Sequence, residues 1–446
     1  MKKALAIVLV LALAFAAFGC TAEQVQAAND AVDQAQEAVA AEIEAAQAPA
    51  EEAPAAGEAK DIKVGFIFLH DENSTYDLNF MNAAKEACAE LGLTEDQYIL
   101  RVNIPEGQEC QDTAGELVDA GCTLIFADSF GHEDFMIEAA KEFPDVQFCH
   151  ATGTKAHTAG LANYHNAFAH IYEGRFLAGV AAGMKLNEMI EAGQFTADEA
   201  KIGYVGAFTY AEVVSGYTSF FLGARSVCPT ATMEVTFTGS WYDEAMEKEG
   251  ANKLIQNGCK LISQHADSMG APTACETAGV PNISYNGSTK AVGPNTYIVS
   301  SRINWAPYYK LCINAVLNGE EIPTDYCGTL DTGSVELLEL NETVAAAGTA
   351  EKLAEVEAAL RAGTLHVYDT STFTVSFVDA ATFTNTNATM DADNHVISYM
   401  ADVDTDPAYA GDTEVVADGY FHESEYRSAP YFDLKIDGIT LLDTAF

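Results

Sequence analysis

Apolar residues in this chain fall into short continuous runs and longer helically spaced ones, and the two kinds alternate. Ile62 to Leu69 is almost unbroken apolar sequence, the pattern of a strand covered on both faces. A polar loop, His70 to Asp77, follows it, and Phe80 to Leu91 then carries helical spacing that stops at Gly92. The unit recurs as strand Tyr98–Val102, helix Cys110–Ala120, strand Leu124–Ala127, helix Asp134–Phe143 and strand Gln147–His150. After a long helix over Ala167–Leu186 comes a second set. It reads Ile202–Val205, helix Val213–Ser226, Met233–Phe237, helix Asp243–Asn257, Leu261–Gln264 and Asn282–Tyr285.

Strands alternating with helices of this length predict an α/β fold with parallel sheets, doubly wound because crossovers are right-handed. The body is too long for one ordinary core, so two lobes with a hinge are expected. Lobe 1 is read as 62–165 with part of 290–330, and lobe 2 as 166–289 with part of 331–362. The strands near Tyr297–Ser301 and Gly333–Leu340 are expected to cross between them. From residue 363 to 446 the pattern turns to alternating Thr, Asp, Tyr and Phe, as in Phe373–Val378, which predicts a β-rich C-terminal appendage. Its last residues, Ile436 to Phe446, could return to the body.

Residues 1–19 have the layout of a secretory signal peptide: Lys2 and Lys3, an apolar stretch from Ala4 to Phe15, and small residues before Cys20. Cys20 is a candidate lipidation site that would tether the exported protein to the outer face of the cell membrane. Residues 20–61 are rich in Ala, Glu, Gln and Pro and lack aromatic residues, so they read as a flexible linker.

With 66 acidic against 22 basic residues the net charge is −44, which repels phosphate backbones and makes nucleic acid a poor partner. The ten cysteines show no zinc-type spacing, and no metal site or cofactor is expected. Cys312 and Cys327 are the first pair to test for a disulfide. The Asp402–Asp406 run lacks the glycine and terminal glutamate of a calcium loop. No G-x-S-x-G, H-E-x-x-H or phosphate loop occurs, so no catalytic residue is assigned.

In doubly wound sheets ligands sit beyond the carboxyl ends of the strands. The loops there carry Tyr76 and Asp77, then Asp128, Ser129 and Phe130, then Phe208 and Trp241, and finally Asp267. Asn286, Lys290 and Asn304 are similarly placed. Aromatic faces with carboxylates suit a small, flat, neutral ligand, since rings stack on a heterocycle while carboxylates accept from hydroxyl or N–H groups. A nucleoside meets both conditions. Each residue also has a structural use: Asp77 and Asp128 as helix caps, Tyr76 and Phe130 as surface rings, Trp241 as core.

Gly174-Arg175-Phe176-Leu177-Ala178-Gly179, Gly239-Ser240-Trp241-Tyr242-Asp243, Gln264-His265-Ala266-Asp267-Ser268 and Asn304-Trp305-Ala306-Pro307-Tyr308-Tyr309 resemble segments of the basic membrane protein family, the PnrA-like substrate-binding lipoproteins of ABC importers. The resemblance covers roughly residues 62–340. It implies a type I periplasmic-binding-protein fold, hinge closure on a purine nucleoside or purine base, and a monomer that docks on an ABC permease. It places Tyr76-Asp77 where the family usually has Phe-Asn, and Asp128 at the ribose-binding carboxylate. It makes Phe208 and Trp241 base-facing rings and Asp267 a further polar contact. Asn286 lies near an aspartate of the nucleoside receptors. A surface nucleoside hydrolase and a sensor domain uncoupled from transport are the rival readings.

Overall fold

The computed structural model describes residues 62–375, 387–403 and 413–446. The expected signal peptide, Cys20 and the 20–61 linker lie outside these residues, as do the ends of the Phe373–Val378 and Asp402–Asp406 runs. Thirteen strands build the two main sheets, the strand Ile439–Leu441 near the C-terminal end and twelve before it: β1 Val64–Ile67, β2 Tyr98–Arg101, β3 Leu124–Ala127, β4 Gln147–Ala151, β5 Tyr164–Ala169, β6 Lys201–Gly206, β7 Thr232–Phe237, β8 Leu261–His265, β9 Asn282–Tyr285, β10 Tyr297–Ile303, β11 Asp325–Gly328 and β12 Val335–Leu337. The first sheet has the order β11-β5-β4-β3-β1-β2 and is parallel throughout. The second runs β12-β10-β9-β8-β6-β7 and ends on a strand over Ile439–Leu441; within it only β12 is antiparallel to its neighbour. In β1 and β3 every residue is buried, as continuous apolar runs require.

Three details depart from the sequence pattern. β10 and Val335–Leu337 both stay in the second sheet. The return to the first lobe is made instead by the helix Ala306–Asn318, which packs on the helix Thr75–Glu90, and by β11. β5 occupies Tyr164–Ala169, so the long helix starts only at Ile171. The first helix opens at Thr75: Ser74 caps it, its hydroxyl accepting from the Asp77 N–H at 3.2 Å and donating to the Asp77 carboxylate at 2.6 Å. Tyr76 and Asp77 therefore sit on a helical first turn rather than in a loop.

The helices Ile171–Glu191 and Ala211–Val227 cross beneath the second sheet with backbone against backbone at Gly179 and Gly223. The appendage packs over the latter helix. Tyr368 stacks on Phe432 at 4.3 Å and exchanges a 2.8 Å hydrogen bond with Ser215, while Arg225 pairs with Asp437 at 2.6 Å. Its strands are short, over 388–390, 396–401, 413–414, 416–417 and 420–421.

All nine described cysteines are free. The expected Cys312–Cys327 pairing is not made. Cys312 lies with its sulfur 4.0 Å from that of Cys149, and the Cys327 thiol faces the Ser428 carbonyl. Among the described residues no helix is long and apolar enough to cross a membrane, and no cluster could hold a metal ion.

Burial pushes three carboxyls up, Glu173 and Glu247 to about 7 and Glu423 to about 8. All three exceed the unfolded-chain value of about 4.5, so the folded chain binds more protons across that window and loses stability as pH rises through it. Self-repulsion at −44 acts in the same direction and is screened by salt. Five histidines, His132, His150, His165, His170 and His265, are pushed down by burial and act the other way below about pH 6.5, so the carboxyls dominate only above it. The melting temperature is expected to be higher at about pH 6.5 than at about pH 8.5, and to rise with added NaCl. Calorimetric scans showing the reverse pH trend would mean that these carboxyls are not buried as described.

Candidate functional site

A cleft between the carboxyl ends of the two sheets holds about 350 Å³ of space, part of it open to solvent, lined by Leu69, His70, Tyr76, Asp77, Ser129, Phe130, Thr152, Glu212, Trp241, His265 and Asp267. The first lobe supplies the residues after β1, β3 and β4, and the second those after β6, β7 and β8. No lysine or arginine is among the lining residues.

Rings from both lobes meet over this space. Tyr210 stacks on Phe208 at 5.0 Å and 12°, and Phe208 meets Trp241 edge-on at 5.0 Å. Across the cleft Phe130 stacks on Tyr210 at 5.4 Å. The lobes also bond directly: the Thr75 N–H donates to the Asp267 carbonyl at 2.9 Å, and Asn79 donates to the Ile303 carbonyl at 2.5 Å. The arrangement is closed.

Two buried carboxyls, one from each lobe, are shifted in opposite directions. Burial alone would raise Asp77, but hydrogen bonds from the His70 ring, the His70 N–H at 2.8 Å and the Ser74 hydroxyl outweigh it and hold Asp77 below the usual carboxylate range. Asp267 has no such donors. Burial, reinforced by Glu247, Asp77 and Glu212, pushes it well above that range and so favours its neutral form, which can donate as well as accept. His265, also buried, is pushed down by burial against the pull of Glu212, 3.5 Å away. Thr152 adds a buried hydroxyl without a partner at a backbone φ of 69°, a region that β-branched residues rarely occupy.

Of the residues singled out from sequence, Tyr76, Asp77, Ser129, Phe130, Trp241 and Asp267 line the cavity. Phe208 stands one ring behind. Asp128 lies beneath the floor: it accepts from the Leu69 N–H at 3.1 Å, its carbonyl accepts from the Tyr76 hydroxyl at 2.6 Å, and burial and then Asp77 push its carboxyl well up. Asn286, at φ 59°, ties β9 to Ser301 through its N–H and is not among the lining residues. Asn304 is also outside the lining; its side chain accepts from the Ala306 N–H at 3.1 Å and opens the helix that follows. Sequence reasoning assigned no role to His70, Thr152, Glu212 and His265; His70, Thr152 and His265 fall at or just past strand ends, whereas Glu212 stands in the first turn of the helix Ala211–Val227.

Two parallel-sheet lobes closing on a pocket at their strand ends define a solute-binding protein of the periplasmic-binding type. The chain belongs to the Bmp family, ABC transporter substrate-binding protein PnrA-like, whose model matches residues 67–364. It is 35% identical over 268 residues to a purine-binding protein of Brucella abortus, covering 59% of this chain and 71% of that one. It is also 35% identical over 210 residues to a putative ABC transporter glucose-binding protein of Haloferax volcanii, covering 47% of this chain and 50% of the relative. In fold it is similar to a solute-binding protein of Aeropyrum pernix, with a TM-score of 0.58 at 16% identity over 72% of this chain and 95% of that one. Solute-binding proteins of ABC importers work outside the cytoplasm, and the family is not one of enzymes.

Proposed function

We propose that the protein captures a free purine base and delivers it to an ABC permease, with a lipid on Cys20 tethering a monomer to the outer face of the membrane. The observation that carries the ligand class is a cavity walled by rings from both lobes, edged by two carboxyls shifted in opposite directions, with no lysine or arginine among the lining residues. Rings grip the faces of a planar heterocycle, while carboxyls on opposite sides accept from and donate to its edge.

A base is favoured over a nucleoside by what the first-lobe carboxylates already do. Asp128, at the position that the family resemblance gives to ribose, is turned to the Leu69 N–H, and Asp77 is occupied by His70 and Ser74. The second oxygen of Asp128 is buried and unpartnered, but both oxygens of Asp77 are engaged, so no free pair of carboxylates awaits a sugar diol. Closure follows because only a ligand touching both lobes binds the closed state better than the open one.

Titration calorimetry against adenine, hypoxanthine, adenosine, inosine and glucose tests this directly. Bases should bind and the other three should bind at least about tenfold more weakly, since a sugar finds no free carboxylate pair. Tighter binding of the nucleosides would restore the ribose role of Asp128, and glucose alone binding would move the protein to sugar capture. Release of base from a nucleoside would instead make it a hydrolase. Within the site, Asp267→Asn should bind within about fivefold of the parent, because an amide mimics a neutral acid, whereas Asp267→Ala should lose about a hundredfold. Equal losses in the two variants would show that the Asp267 carboxyl makes no contact.

A further inference from the structure

The aromatic wall rides on two loops of the second lobe, residues 207–210 after β6 and 238–243 after β7. These loops lie beside the strand Ile439–Leu441, which closes the edge of the sheet against β7. Beyond that strand the chain keeps following them. The Leu442 N–H donates to the Val235 carbonyl at 2.8 Å. The Asp443 carboxylate accepts from the Phe237 N–H at 2.7 Å, the Thr236 hydroxyl at 2.6 Å and the Lys253 ammonium at 3.1 Å. Ala445 then forms a reciprocal pair with Thr209: its carbonyl accepts from the Thr209 N–H at 2.7 Å, and its N–H donates to the Thr209 hydroxyl at 2.9 Å.

Thr209 is buried and stands between Phe208 and Tyr210, the two rings that stack on each other and meet Trp241 and Phe130. Besides Ala445, backbone hydrogen bonds fix this segment at its two ends: Ala207 donates to the His265 carbonyl and accepts from Gly239, and the Tyr210 carbonyl accepts from the Val213 and Val214 N–H groups at 3.0 and 2.9 Å, which leaves Thr209 held by Ala445. We propose that residues 442–446 are a positioning element of the binding site, holding the Phe208–Tyr210 rings at the height where they can meet Phe130 when the lobes close. The β-rich appendage thereby gains a role, because it returns the chain to that sheet edge. A preorganised wall matters for affinity, since a segment held in its competent position for about a tenth of the time weakens apparent binding about tenfold.

The inference rests on the purine reading for its affinity measurement alone, and a second measurement is independent of any ligand. Trp241 and Trp305 are the two tryptophans of the chain, so Trp305→Phe leaves Trp241 as the sole reporter. In that background, deletion of residues 443–446, which spares the strand Ile439–Leu441, is compared with the full chain. About tenfold weaker binding of the preferred base and greater acrylamide quenching of Trp241, with a melting temperature close to that of the full chain, are expected. Unchanged affinity and quenching in a folded deletion protein would overturn the proposal. Where the deletion protein does not fold, Asp443→Ala and Thr209→Val in the full chain carry the same comparison, and unchanged affinity and quenching in both would overturn it equally. If the full chain binds no purine, the ligand reading has failed, and the quenching comparison still decides the role of the tail.

Discussion

Replacing Trp241 by alanine is expected to weaken ligand binding by about 2–4 kcal/mol, a factor of roughly 30 to 1,000 in affinity. The indole lines the cavity and is braced by Phe208 and, at 6.2 Å, by Tyr210, which makes it a rigid anchor with little conformational freedom left to lose. Its loop does not depend on the indole for position, because the Trp241 carbonyl accepts from the Asp267 N–H at 3.1 Å. The loss should therefore appear in binding, with only a small change in melting temperature from a half-buried side chain. Trp241→Phe, which keeps a ring face, should recover most of the affinity. Calorimetric titration and a thermal scan on the three proteins separate the outcomes: a variant that melts early yet binds normally would place Trp241 in the core and outside the site.

The largest stability effect is expected where the two buried helices touch. A Cβ on Gly179 would lie 1.9 Å from the Phe220 carbonyl oxygen, and one on Gly223 would lie 2.0 Å from that of Phe176. The obstructing atoms are backbone, so no side chain can swing aside and the helices must part. Gly179→Ala and Gly223→Ala should each cost about 3 kcal/mol or more, showing as a markedly lower denaturation midpoint or loss of soluble protein. Gly115→Ala makes the contrast. It also lies in a helix, its added Cβ would meet the Phe143 ring at 3.8 Å, and it should be neutral or stabilising by up to about 1 kcal/mol. Near-equal denaturation midpoints for all three variants would show that the crossing is looser than described.

The sheets were legible because fully covered strands such as Leu124–Ala127 cannot avoid apolar runs, and their order of appearance predicts the doubly wound topology. β5 escaped because it carries His165 and Asn166. Both are buried at a cost that hydrogen bonds to Pro323, Gln147 and Ala156 offset, so the strand looks polar in sequence. The apolar pattern points the passage between lobes to β10 and β12, since long-range pairing leaves no local trace, whereas the helix Ala306–Asn318 that makes it reads like any other. At the site, the strand-end rule brought in rings and aspartates. Glu212, His265 and Thr152 needed tertiary geometry: a lone glutamate, histidine or threonine has the same local pattern on an outer surface as in a pocket. Asn304 shows the converse, a loop asparagine whose side chain serves a helix start.

The chain passes between the lobes after β5, after β10 and after β11. No single cut can release either half as an uninterrupted polypeptide. A gene fragment ending near residue 170 would keep β5 but lack β11, which flanks it at the sheet margin, and would leave a row of unpaired amides as a template for self-association. Fusions, split reporters and immobilised sensors made from this protein should therefore enter at surface turns and keep all three passages, since these same segments both complete each half and join the two covalently.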